Sequence, residues 1–347
     1  MNFLLPALIS LFLTIATTPL TIKFAKKFNL LDNPTLRPHP AHIQNRIVPR
    51  AGGLAPFIAV VTCTMFFLPL NQYLGLILAL SILLLVGLAD DRFKNVSPYI
   101  RLVLQFLAAA IVVWSGVEIN FVTNPLGGII QFQDPLQAKL LALFWIVWVM
   151  NMLNWAKGVD GQMPGIVFVS SLILGFLSLK LFLAGDPNQF EIGKLAFITA
   201  GASLGLLIFN WHPSKIFPGF SGSTIFGLLI ATLAILSGAK LATAGLVLLI
   251  PATDFVYTVI RRLLSGKSPV WGDRGHLHHL LLNKGLTHSQ ITLFYMLGSA
   301  MLGAAALTLD SRGKIFAAIL VGAVTLGVIL WLNFFGGLSK QPDPDNG

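Results

Sequence analysis

Long apolar runs separated by short polar stretches organise the chain from end to end. A helix of roughly 17–25 apolar residues can cross a bilayer. Such runs fall near 2–22, 53–70, 73–89, 100–117, 138–153, 165–185, 191–210, 223–238, 239–259, 291–309 and 314–334. The pattern predicts an all-α polytopic membrane protein with about eleven transmembrane helices. The first run opens "MNFLLPALISLFLT", with neither a basic leader nor a small-residue cleavage site, and reads as an uncleaved helix. The least marked boundary is "ILSGAKLATAG", where only Gly238 and Lys240 separate two spans. Residues 1–334 read as a single transmembrane domain, and 335–347, with "SKQPDPDNG", as a short polar tail.

Composition agrees with a lipid environment. Of 347 residues, 55% are hydrophobic and 10% charged, against roughly 25% charged in soluble proteins; mean hydropathy is +0.81. Cys63 is the single cysteine, which excludes a disulfide or cysteine-metal framework. The net charge of +10 is read as membrane orientation and contact with anionic lipid, not as nucleic-acid binding. Alternate loops divide the 23 Lys and Arg unequally: Lys139, Lys180, Lys194, Lys240, Arg312 and Lys314 lie on one side, and the other 17 opposite them. By the positive-inside rule the rich side is cytoplasmic, the N-terminus outside and the C-terminus inside. Spans almost free of charge, with no internal repeat, argue against a secondary transporter.

All seven histidines, and the polar segments with most chemistry, then fall on the cytoplasmic side. In "ADDRFK", Asp90 and Asp91 end an apolar span, where a carboxylate is costly unless paired or metal-bound. Adjacent carboxylates suit Mg2+, or can raise each other's pKa and supply a base. Lys94 stands at helical spacing from both. The plain alternative is a charged helix end flanking the bilayer. "GHLHHLL" holds His276, His278 and His279, with His276 and His279 expected on one helical face. Beside Arg261, Arg262, Lys267 and Arg274, the cluster suits an anion such as phosphate better than zinc. His212 and His288 read as ordinary solvated histidines. "NWAKGVDGQMPG" (154–165) places Asn154, Lys157 and Asp160 in a glycine-rich loop, and "PGFSGS" is a second such loop. Loops of this kind can aim backbone N–H groups at phosphate, but they also make ordinary turns.

Together and in order, these segments resemble the polyprenyl-phosphate N-acetylhexosamine-1-phosphate transferases of glycosyltransferase family 4. "PRAGG" (49–53) is similar to that family's first cytoplasmic loop, "DDRFK" to its aspartate-pair motif, and "NWAKGVDG" to its asparagine–DGxDG loop. "FPGFSGS" is similar to its glycine–aspartate–serine–glycine loop and "HLHHLL" to its histidine motif, led by the hexosamine-branch segment "PATDFVYTVIRRLLSGKSP". The resemblance implies a multi-pass enzyme of a bacterial-type inner membrane with its site in the cytoplasm. Its reaction would transfer a sugar-1-phosphate, GlcNAc-1-phosphate foremost, from a UDP-sugar to a lipid carrier, releasing UMP and starting a cell-envelope polysaccharide.

The resemblance further implies roles. Asp90, Asp91 and Asp160 would be catalytic, with Asp90 a base or positioner of the lipid phosphate and Asp160 orienting nucleotide or nucleophile. Asn154 would meet the uridine or sugar, and Lys94, Lys157, His276, His278 and His279 would hold substrate. Mg2+ would sit on Asp90 and Asp91. Partners would be a UDP-N-acetylhexosamine, undecaprenyl phosphate or a similar carrier, and membrane lipid, with a homodimer left open. Two positions depart from the pattern: Lys157 and Phe220 replace two usual aspartates. Lys157 is therefore expected to take over part of the metal's charge. The contrary reading is a catalytically degenerate, lipid-carrier-binding scaffold.

Overall fold

The protein is described by a computed structural model over residues 3–34, 46–93, 96–124, 128–238, 241–268 and 275–335. Lys94, Lys240, Arg274 and most of the tail lie outside these residues. The helices are α1 (Leu4–Lys27), α2 (Leu54–Phe67), α3 (Leu70–Phe93), α4 (Pro98–Trp114), α5 (Pro135–Trp155), α6 (Gln162–Leu183) and α7 (Gln189–Asn210). They continue as α8 (Gly219–Leu236), α9 (Leu241–Val247), α10 (Leu249–Leu264), α11 (Leu277–Asn283), α12 (His288–Thr308) and α13 (Ser311–Phe334). Two small antiparallel pairs complete the described elements: β1 (Leu31–Asp32) with β2 (Val48–Pro49), and β3 (Phe121–Thr123) with β4 (Ile129–Gln131).

The chain is an all-α, multi-pass membrane protein. Eight described helices are at least 18 residues long and apolar enough to cross a bilayer, and the α9–α10 pair would make a ninth. α2 and α4 are apolar but shorter, 14 and 17 residues. Each of the eleven predicted runs therefore coincides with a helix or a helix pair. The 239–259 run is not continuous, because α9 and α10 meet at an 83° bend. Pro251, in the first turn of α10, has no N–H to return to the Val247 carbonyl, and its ring excludes a straight continuation. Apolarity runs unbroken across this bend, so hydropathy does not mark it.

α8 is the axis of the bundle, with 94% of its most apolar window buried; α13, at 17%, faces lipid. Where water is absent, helix association relies on close packing, and small residues allow it. On α7, Gly201 and Gly205 form a G-x-x-x-G face against Ala7, Leu11 and Thr14 of α1, and a β-carbon at either position would collide. At the end of the bundle that carries the polar loops, β2 leads into the "AGG" turn. That turn docks on the start of α8 through Gly52 N–H to Phe217 O (3.0 Å) and Phe217 N–H to Pro49 O (2.7 Å).

Candidate active site

The aspartate pair stands at the last turn of α3, facing the first turn of α8. Asp91 is fully buried and acts as an anionic cap on α8: Oδ1 accepts the Phe220 N–H (3.2 Å) and Oδ2 the Ser221 hydroxyl (3.2 Å). A carboxylate at a helix N-terminus meets unpaired N–H groups and the positive end of the dipole. Arg50 Nε lies 3.3 Å from the same Oδ1 and Arg50 Nη1 3.4 Å from Asp32. Asp90 pairs with Arg101 of α4 at 3.4 Å. Gly219 is left-handed (φ 69°), and a β-carbon there would strike the Asp91 carboxylate and the Arg50 carbonyl. Only glycine combines that backbone with that contact.

Lys157 reaches into this arrangement from the α5–α6 loop. Its Nζ lies 2.6 Å from Asn154 Oδ1, 3.0 Å from Gly219 O and 3.5 Å from Ser223 Oγ, so three oxygens from two helices converge on one ammonium. Burial, reinforced by the nearby Arg50 charge, lowers its pKa to about 7, while Asp91 and Asp90 pull the other way. Phe220 is buried between cations, with Arg101 5.3 Å and Lys157 5.9 Å from its ring centroid. Such contacts favour the cations by about 0.5–2 kcal/mol. A small cleft beside them is lined by Pro98, Arg101, Asn151, Asn154, Trp155 and Phe220, among others.

The remaining motifs close on the same loop. Asp160 is buried and accepts from Ser214 Oγ (2.9 Å) and Ser214 N–H (3.1 Å). Arg46 and His212 Nδ1 also reach it, at 3.1 and 2.7 Å. The His212 and His288 rings stack at 4.4 Å, and Asp160 N–H donates to His288 Nδ1. The ligating atoms of Asp160, His212 and His288 lie within 4.8 Å of one another, near enough for a three-ligand cation site, although Arg46 already sits on that carboxylate.

His276 precedes α11 instead of sharing a helical face with His279. Asp254 of α10 accepts both the His276 ring Nδ1 (3.0 Å) and the Leu277 N–H (2.8 Å), peeling residue 276 off the helix start. The His276 and His278 rings are parallel at 5.4 Å. The His278 ring lies on Gly158, where a β-carbon would collide with it. Burial, then the His279 and His276 rings, push the His278 pKa well down, so this imidazole is neutral, and its Nδ1 has no hydrogen-bond partner among the described residues. Trp155 lies 5.3 Å from His276 and under the Arg262 guanidinium at 4.6 Å.

Comparison with known proteins gives this assembly its relatives. A sequence model of glycosyl transferase family 4 matches residues 73–238. The undecaprenyl-phosphate alpha-N-acetylglucosaminyl 1-phosphate transferase of Salmonella typhi is 30% identical over 329 residues, 88% of this chain and 84% of that protein. The chain belongs to glycosyl transferase family 4. A probable undecaprenyl-phosphate N-acetylglucosaminyl 1-phosphate transferase of Bacillus subtilis (strain 168) is 28% identical over 301 residues, 84% of this chain and 80% of that protein. A decaprenyl-phosphate N-acetylglucosaminephosphotransferase of Mycolicibacterium smegmatis (strain ATCC 700084 / mc(2)155) is 29% identical over 341 residues, covering 88% and 82%.

Within this family 4 chain, the matched segment holds Asp90, Asp91, Asn154, Lys157, Asp160 and Phe220, and the histidine loop follows it. The fold gathers all of these with His276, His278 and His279 around the 154–161 loop; Lys94 is outside the described residues. Several partners were given no role by the motif reading: Arg50 and Asp254, which stand inside quoted segments, and Arg46, Arg101, His212, Ser214 and His288. Of His212 and His288, both read as solvated, His212 is exposed and His288 largely covered, and their rings stack beside Asp160. Their one sequence signal was that both stand in polar segments of a chain with few polar residues.

Proposed function

We propose that the protein transfers N-acetylglucosamine-1-phosphate from UDP-GlcNAc to a polyprenyl phosphate such as undecaprenyl phosphate, releasing UMP. The reaction would lie at the cytoplasmic face of an inner membrane, in a chain of eleven spans with its N-terminus outside, and would start a cell-envelope polysaccharide. The observation that carries this reading is convergence. Five motifs spread from Arg50 to His279 meet at one end of the bundle through buried ion pairs and hydrogen bonds. The names of the relatives supply the substrate class.

Chemically, an oxygen of the lipid phosphate attacks the β-phosphorus of the UDP-sugar. The new P–O bond forms as the bond from that phosphorus to the bridging oxygen breaks, and the electron pair leaves with UMP. The attacking phosphate is already ionised near neutral pH, so positioning and charge neutralisation carry most of the catalysis. Arg101 and Lys157, beside the cleft, are placed to take the phosphates; Asp90 holds Arg101 in place. Asp160, braced by Arg46, His212 and Ser214, orients the nucleotide, and the histidine cluster offers ring N–H groups to phosphate oxygens. A scaffold has no evident use for buried carboxylates matched to arginines in this way. Purified protein with UDP-GlcNAc and undecaprenyl phosphate should release UMP, and Asp90→Asn should abolish it. No turnover with any UDP-sugar would sink the proposal.

A further inference from the structure

Mg2+ takes near-octahedral oxygen ligands at about 2.0–2.1 Å, and the residues at the aspartate pair do not fit it. Asp91 has no exposed side-chain surface; Oδ1 is engaged by the Phe220 N–H and Arg50, Oδ2 by the Ser221 hydroxyl. Asp90 faces Arg101. Asn154 Oδ1, Gly219 O and Ser223 Oγ, which together resemble the oxygen cage of a cation, already converge on Lys157 Nζ. Phe220 offers an apolar ring where an oxygen ligand would be needed, and that ring is itself approached by two side-chain cations. Three basic side chains, Arg50, Arg101 and Lys157, thus stand among three carboxylates, Asp32, Asp90 and Asp91, each of which already faces an arginine. A further divalent ion here would meet cations and occupied oxygens.

We infer that this phosphoryl-transfer site works without a bound divalent cation, the Lys157 ammonium, with Arg101 across the Phe220 ring, neutralising the donor diphosphate. The inference rests on the transfer reaction proposed above. In that reaction negative charge builds on the oxygen bridging to UMP as its bond to the β-phosphorus breaks, and a positioned ammonium stabilises it electrostatically. Lys157 is suited to this because it is held by neutral oxygens and, among the described residues, makes no ion pair with a carboxylate, so its charge is not cancelled by contact. Asp90 and Asp91 act through arginines, as positioning residues.

Two measurements on the full-length protein in detergent decide the matter. The first follows UMP release in excess EDTA and in added MgCl2. The expected result is activity within twofold between the two; loss in EDTA that Mg2+ restores overturns the inference and leaves the transfer reaction standing. The second follows binding of UDP-GlcNAc by calorimetry in EDTA, so that an absence of turnover, which would sink the reaction, still leaves metal use decided. Binding in EDTA as tight as with Mg2+ supports the inference, and Mg2+-dependent binding, or none under either condition, overturns it. Lys157→Met should lower kcat/KM by about 10²–10³-fold at every Mg2+ concentration, with Lys157→Arg retaining most of it. Full activity of Lys157→Met, or its rescue by Mg2+, counts against the inference.

Discussion

Lys157 binds its three oxygens at the cost of burial, which is why its pKa falls to about 7. The groups facing it are Asp90 and Asp91 on α3, Arg101 on α4, Asn154 on α5, Ser223 on α8 and Arg50 from the loop before α2. In the free enzyme the ammonium is charged below neutrality and loses its proton as pH rises. The kcat/KM for UMP release should therefore fall on the alkaline side with a midpoint near 7. An anionic donor raises the lysine pKa again, so the midpoint in kcat should be higher. Lys157→Arg, charged throughout this range, should lose the alkaline limb; an unchanged limb in that variant would assign it to another group. Asp254 offers a second residue-scale test. Asp254→Ala leaves the His276 ring with Thr258 and strips the carboxylate from the Leu277 N–H, a donor worth about 1–3 kcal/mol when buried and unmet. We expect lower thermal stability and weaker donor binding, the latter visible as a raised KM.

At the scale of elements, the junction of α3, α8 and the loop before α2 is held by contacts too close for any added atom. Gly219→Ala would push a methyl group into the Asp91 carboxylate at a left-handed backbone position. The backbone alone accounts for about 1–2 kcal/mol. Gly185 is also left-handed (φ 104°) but has nothing within 4 Å of a β-carbon, so Gly185→Ala should show the backbone cost alone. Thermal melts in detergent should rank Gly219→Ala well below Gly185→Ala, and the former should also lose activity. Equal melting points would mean the junction yields easily. Most elements of this kind are legible in the sequence, because a bilayer demands long apolar runs and the chain supplies them. The α9–α10 bend was signalled locally only by Pro251, and the run around it is apolar on both sides. The site was legible in part. Its motifs stand out as polar islands, whereas Arg50 on Asp91, Arg101 on Asp90 and His212 on His288 are pairings that only the packed bundle creates.

For the whole molecule, orientation is the claim resting on charge distribution alone, and the chain carries a convenient background for testing it. Its single cysteine, Cys63, is buried in α2, so a membrane-impermeant maleimide should ignore the native protein. Introduced at exposed positions, Arg312→Cys should label in intact cells and Lys215→Cys only after permeabilisation; the reverse pattern would invert the topology. The buried axis of α8 carries Gly219, Phe220 and Ser223 at its first turn, which fixes the lysine cage to the least solvent-exposed helix of the bundle. A cation that is part of the chain has no dissociation constant, and its desolvation is settled when the protein folds. The rate law then contains two substrates and no metal concentration, and the true donor is the uncomplexed UDP-sugar. Divalent ions that sequester this donor would slow the enzyme, so high Mg2+ should act as a weak inhibitor competitive with UDP-GlcNAc.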